Sequence, residues 1–118
     1  MKIFLLINAI LEIVAGIIMF LAPKALPGYK EASAQTTTWM SMYGAAALGV
    51  GFFAFLAWRN YPNADLVYTF VLTFLIFHAG VMAAAARGYR AGLKDMMPVA
   101  ILHGVLAIAT LYFYVQVR

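Results

Sequence analysis

Four apolar stretches, each close to twenty residues long, leave this chain few folds to choose from. They run from about Ile3 to Ala22, Trp39 to Trp58, Leu66 to Ala86 and Met97 to Val117. A helix rises ~1.5 Å per residue, so about twenty residues cross the ~30 Å hydrocarbon core of a bilayer. The alternating apolar–polar segments of a membrane barrel are absent. Inside lipid the backbone must then satisfy its own hydrogen bonds as helices. The expected fold class is all-α and integral to a membrane: an up-down-up-down four-transmembrane-helix bundle, a single domain over residues 1–118. Short connections make sequential helices antiparallel neighbours. Composition agrees, with 66% hydrophobic and 10% charged residues, against about 25% charged in an ordinary soluble domain. A soluble fold of 118 residues cannot hide that much apolar surface.

The ends of the stretches carry their own signals. Pro23 and Pro27 follow the first, and proline ends a helix by removing an amide donor. Thr36, Thr37 and Thr38 offer an N-cap for the second, Asn63 or Asp65 for the third and Asp95 for the fourth. Pro98 falls in the first turn of the fourth, where a missing donor costs little. Trp39 and Trp58 bracket the second stretch, roughly 28 Å apart along a helix, as interfacial indoles do. Tyr112 and Tyr114 mark the far end of the fourth. The connections are a long Pro23–Thr38 loop with room for a short interfacial helix near Tyr29–Ala34, a tight Arg59–Ala64 turn and a glycine-containing Arg87–Met96 turn.

The net charge of +4 comes from eight basic residues that flank the apolar stretches. They read as headgroup contacts, and no basic cluster interleaved with aromatics marks a nucleic-acid surface. Lys24, Lys30, Arg87, Arg90 and Lys94 fall on one side of the membrane, and Lys2, Arg59 and Arg118 on the other with both termini. The positive-inside rule then places the two larger loops in the cytoplasm. The first stretch resembles a secretory signal in having Lys2 ahead of it and Ala32-Ser33-Ala34 after it. Glu12 interrupts its core and charges fill the gap before Ala34, so a retained span is expected. The absence of cysteine excludes disulfides and thiolate sites. No soluble-enzyme signature such as G-x-S-x-G or H-E-x-x-H is present, which leaves enzymatic activity undecided.

Three ionisable side chains inside the stretches stand out: Glu12 in the first, His78 in the third and His103 in the fourth. An ionisable residue within a span is costly, and by default it faces the protein interior and has a partner. Measured from the side of the larger loops, the three lie roughly 15, 13 and 9 Å deep, so one layer of a bundle can hold them all. Asn8 and Gly16 are one helical turn either side of Glu12, and Tyr43 can reach the same layer. Two imidazoles and a carboxylate suit a metal ion such as iron or zinc. Equally they suit a proton relay or a small polar ligand such as a quinone headgroup. The bland alternative is a hydrogen-bonded structural cluster. Haem ligation by the histidines is disfavoured, with no attachment motif and a slim bundle. Six of seven methionines map to the half nearest the larger loops, which admits a Cu(I) site; packing is the simpler account.

Ala45/Gly49 and Ala47/Gly51 in the second stretch are small-xxx-small pairs that let two backbones approach. They serve packing within the bundle or, alternatively, a homodimer or a larger membrane complex.

The run Ile7-Asn8-Ala9-Ile10-Leu11-Glu12-Ile13-Val14-Ala15-Gly16, with Pro23 after it, resembles small four-helix bacterial membrane proteins of the DoxX-like kind. Tyr43-Gly44-Ala45-Ala46 and a histidine in the third stretch look like the same group. The resemblance implies a four-helix fold in a bacterial inner membrane, without an activity. A second likeness is to small multidrug resistance exporters, which carry a glutamate in the first of four spans, where Glu12 stands. It implies proton-coupled export. The chain departs from that pattern in its third stretch, where His78 replaces the aromatic and glycine pattern.

The reading that follows is a small membrane protein whose Glu12, His78 and His103, with Tyr43 and Asn8 nearby, bind a metal ion or small ligand. An accessory subunit of a larger membrane complex and a proton-coupled transporter using Glu12 are the alternatives.

Overall fold

A computed structural model describes residues 1–117; Arg118, counted above among the terminal charges, lies outside them. Four helices account for most of the described chain: α1 (Lys2–Leu21), α2 (Ala34–Arg59), α3 (Ala64–Arg90) and α4 (Met96–Val117). Each is long and apolar enough to cross a membrane. The protein is therefore all-α with four candidate membrane spans, as the apolar stretches require. It packs as two compact units, Met1–Tyr61 and a second beginning at Pro62, each built on one pair of helices.

In the first unit α1 and α2 form an antiparallel hairpin closed by residues that lack side chains. A Cβ added to Gly44 would stand 2.6 Å from the Phe20 nitrogen and 2.9 Å from the Gly16 carbonyl oxygen. One added to Gly16 would meet the Leu48 nitrogen at 2.8 Å, and one on Gly51 the Ile13 nitrogen at 2.8 Å. Real Cβ atoms do not approach backbone so closely, so glycine is required at all three crossings. The buried face of α2 is Gly44, Ala47, Gly51, Ala54 and Ala57, a seam of small residues three or four apart. Close backbone approach of this kind holds helices together where lipid removes the hydrophobic drive between them. Of the two small-xxx-small pairs, Ala47/Gly51 belongs to this seam, whereas Ala45 and Gly49 lie on the exposed side.

The opposite face of α1 meets lipid. Ile3, Ile7, Ile10, Val14, Ile17 and Leu21 are exposed at alternating spacings of three and four, up to 75% at Ile3. Polar residues occupy the inner face instead, an inversion of the soluble pattern that only an apolar solvent favours.

Two details of the first connection differ from expectation. Helix α2 begins at Ala34, capped by Ser33, whose Oγ accepts from the Thr36 amide at 3.1 Å. Thr37 and Thr38 are already inside the helix, with their hydroxyls donating to the Ala34 carbonyl at 2.9 and 2.8 Å. The interfacial helix sought near Tyr29–Ala34 is absent. A 3-10 turn occupies Pro23–Ala25, and Tyr29–Ala32 closes one turn only. Pro27 and Gly28, whose φ is +82°, break the segment between them. Ser41 in α2 donates to the Phe20 carbonyl at 3.2 Å, satisfying one of the acceptors freed at the end of α1.

In the second unit α3 and α4 form a hairpin packed by rings. Phe70, Val71, Phe74 and His78 line the fully buried face of α3. The Phe70 and Phe74 rings pack at a tilt of 36°, 4.6 Å between centroids. At the end away from the turn, the Tyr68 and Tyr114 hydroxyls hydrogen-bond at 3.2 Å. Asn63 caps α3 as expected, accepting from the Leu66 amide at 3.0 Å. The helix closes with a Schellman motif: the Leu93 amide donates to Gly88 and the Gly92 amide to Tyr89. Gly92 has a φ of +98°, which β-carbon-bearing residues avoid.

Candidate functional site: a buried histidine pair

His78 and His103 face each other inside the α3–α4 hairpin. Antiparallel packing from the Gly92 turn brings the middle of α3 opposite the first half of α4. The same register that pairs Tyr68 with Tyr114 thus pairs the two imidazoles. Their Nδ1 atoms are 2.8 Å apart, and the rings are 0% and 8% exposed. At that distance one Nδ1 must donate and the other accept. In the neutral pair the rings are therefore opposite tautomers, one with its proton on Nδ1 and the other on Nε2. Two imidazolium rings would set N–H donors face to face, so at most one extra proton fits.

Aromatic rings wall the pair. Phe74 meets His78 edge-on at 4.2 Å between centroids. Phe77 stands edge-on to both imidazoles, at 5.4 Å from His78 and 6.1 Å from His103. These rings are apolar and add nothing that competes with the nitrogen–nitrogen contact. Gly104, the residue after His103, gives its space to the Met82 thioether, whose sulfur would lie 3.3 Å from an added Cβ. Met96 does the same over Gly88. Here the methionines fill gaps above glycines, as the packing reading of the methionine-rich half expects.

In the first unit the polar residues gather on the inner face of α1. Glu12 is buried, and Gly51 of α2 makes room for its β-carbon, which an added Cβ would approach to 3.0 Å. Asn8, one turn before Glu12, is fully buried. Its Nδ2 donates to the Phe4 carbonyl at 2.8 Å, and its Oδ1 has no hydrogen-bond partner among the described residues. Gly16 continues this face but serves the helix crossing rather than a polar site. Tyr43 of α2 is half-buried and stands one residue before the Gly44 crossing with α1.

One buried polar residue escaped the sequence reading. Thr110 is fully buried two turns beyond His103 on the same face of α4. Its hydroxyl donates to the Leu106 carbonyl at 2.6 Å, so its proton is spent on its own helix. The spacing of His103, Ala107 and Thr110 was the available signal.

Chemically, the pair can share a proton, or it can give two nitrogens to a metal ion. No protein-family model, curated protein or solved structure matches the chain.

Proposed function

We propose that this protein is a multi-pass membrane protein that binds a metal ion, or a small polar ligand, through His78 and His103, with Glu12 as the anionic partner. The observation that carries the reading is the Nδ1–Nδ1 approach of 2.8 Å between two buried imidazoles on separate helices. Neutral imidazole is the commonest protein metal ligand, and two of them with a carboxylate make a three-donor set. The case for Glu12 is its depth. An acid in the middle of a span is costly without a cation or proton donor. Asn8, with its buried acceptor on the same face, is suited to a ligand that carries a hydrogen-bond donor. The DoxX-like resemblance belongs to the same proposal and supplies the setting, a bacterial inner membrane.

Metal content of detergent-purified protein tests this. Wild type grown with added iron, manganese or zinc is expected to retain a stoichiometric metal. His78→Ala and His103→Ala are expected to lose it, and Glu12→Gln to hold it more weakly. Negligible metal in wild type and variants alike would remove the metal reading and favour a pair that only ties α3 to α4. Metal retained undiminished in Glu12→Gln would remove Glu12 from the site.

A further inference from the structure

We infer that the turn joining α3 to α4 holds an acidic phospholipid, with Arg87, Arg90 and Lys94 around its phosphate. The site is separate from the histidine pair, and it narrows the general headgroup contact of the basic residues to one selective place. Helix α3 has 27 residues and is therefore ~40 Å long, against ~30 Å of hydrocarbon. Tyr68, paired with Tyr114 through its hydroxyl, marks one interface. Arg87 lies roughly 28 Å further along the helix, at the opposite edge of the hydrocarbon. Arg90 is ~5 Å beyond that, at the level of the phosphates.

Arg87 and Arg90 are three residues apart and so share a face of α3. Both are exposed, as is Lys94. Against these three cations the turn carries one acid, Asp95, and among the described residues no carboxylate is paired with any of them. The backbone beneath is ordered by its own hydrogen bonds. The amides of Ala91, Gly92, Leu93 and Lys94 donate to the carbonyls of Arg87, Tyr89, Gly88 and Gly92, each at 3.0 Å. A cluster fixed in this way loses little backbone freedom when it binds. Tyr89 and Leu93 are 45% and 60% exposed beside it and offer apolar contact to the upper part of an acyl chain. The first connection has no such set: Pro27 and Gly28 part Lys24 from Lys30, and Glu31 follows Lys30. Guanidinium groups bind phosphate oxygens through paired hydrogen bonds. A phosphoglycerol headgroup has no cation of its own and leaves that negative charge for the arginines. Phosphocholine brings an ammonium that the cluster repels.

Native mass spectrometry tests this on the full-length protein, delipidated in detergent and offered equal amounts of phosphatidylglycerol and phosphatidylcholine. Wild type is expected to prefer phosphatidylglycerol as its first bound lipid by about tenfold or more. Lys94→Gln should lower that preference about fivefold, and Arg87→Gln/Arg90→Gln should abolish it. Arg87→Lys/Arg90→Lys keeps the charge without the planar fork and should fall between wild type and the glutamine pair. Lys24→Gln/Lys30→Gln should leave the preference unchanged. Equal retention of the two lipids by wild type would overturn the site, whatever the variants do. A preference that survives in Arg87→Gln/Arg90→Gln, or falls as far in Lys24→Gln/Lys30→Gln, would overturn its location. All five substituted side chains are exposed, so helicity should match wild type throughout. None of these outcomes reads metal content, so this proposal and the metal reading fail separately.

Discussion

The two hairpins solve one problem by opposite means. Lipid supplies no hydrophobic drive between helices, so each pair must be held by contact alone. The α1–α2 hairpin removes side chains, letting backbones touch at Gly16, Gly44 and Gly51. The α3–α4 hairpin fills the gap with Phe70, Phe74 and the two imidazoles. The first arrangement tolerates nothing larger at its crossings, and the second tolerates nothing smaller at its core. The difference also bears on chemistry. The seam face of α2 is glycine and alanine, so the buried polar groups of the first hairpin, Asn8 and Glu12, come from α1 alone, whereas in the second hairpin each helix gives one imidazole to the contact.

Shrinking a ring should have the largest effect. Phe74→Ala leaves a void against Phe70 and His78 and is expected to cost about 3–5 kcal/mol, read from reversible unfolding in mixed micelles. It should also free the imidazoles to move. A loss below about 1 kcal/mol would mean that the rings do not hold the second hairpin.

Enlarging a glycine comes next. Gly44→Ala forces its methyl onto the Phe20 backbone, at an expected cost of about 1–3 kcal/mol. Gly49→Ala sharpens the comparison, because nothing lies within 4 Å of an added Cβ there. It should shift stability by no more than about 0.5 kcal/mol. Equal effects at the two positions would contradict the seam.

The smallest effect is expected at the tyrosine pair. Tyr114→Phe removes the hydroxyl contact with Tyr68 but keeps the ring packing. An intramembrane hydrogen bond averages about 0.6 kcal/mol, and a loss of that order is expected. Tyr114→Ala should cost several times more, since the ring rather than the hydroxyl fills the space.

Much of this was legible in the sequence. Span length and apolar content announce four helices because lipid leaves the backbone no other conformation. Asn63 and Gly92 mark their helix ends through chemistry local to a few residues. The meeting of His78 with His103 follows from depth arithmetic once the helices are antiparallel. What the sequence does not show is which of several similar residues wins. Ser33 takes the cap from the three threonines because the helix gains an extra turn by starting there. Ala47/Gly51 rather than Ala45/Gly49 forms the seam, although the two pairs have the same spacing. The choice depends on which face of α2 meets α1, and a span that is apolar all round carries no record of it. Gly16 looks like part of a polar stripe until Gly44 is found against it.

The central claim is that the two imidazoles meet through their Nδ1 atoms inside the second hairpin. Nitrogen-15 NMR of histidine-labelled, chelator-treated protein tests it directly, since only two rings contribute. The expected result is one Nδ1–H ring and one Nε2–H ring, joined by a nitrogen–nitrogen coupling across the shared proton. Two Nε2–H rings with no coupling between them would contradict it.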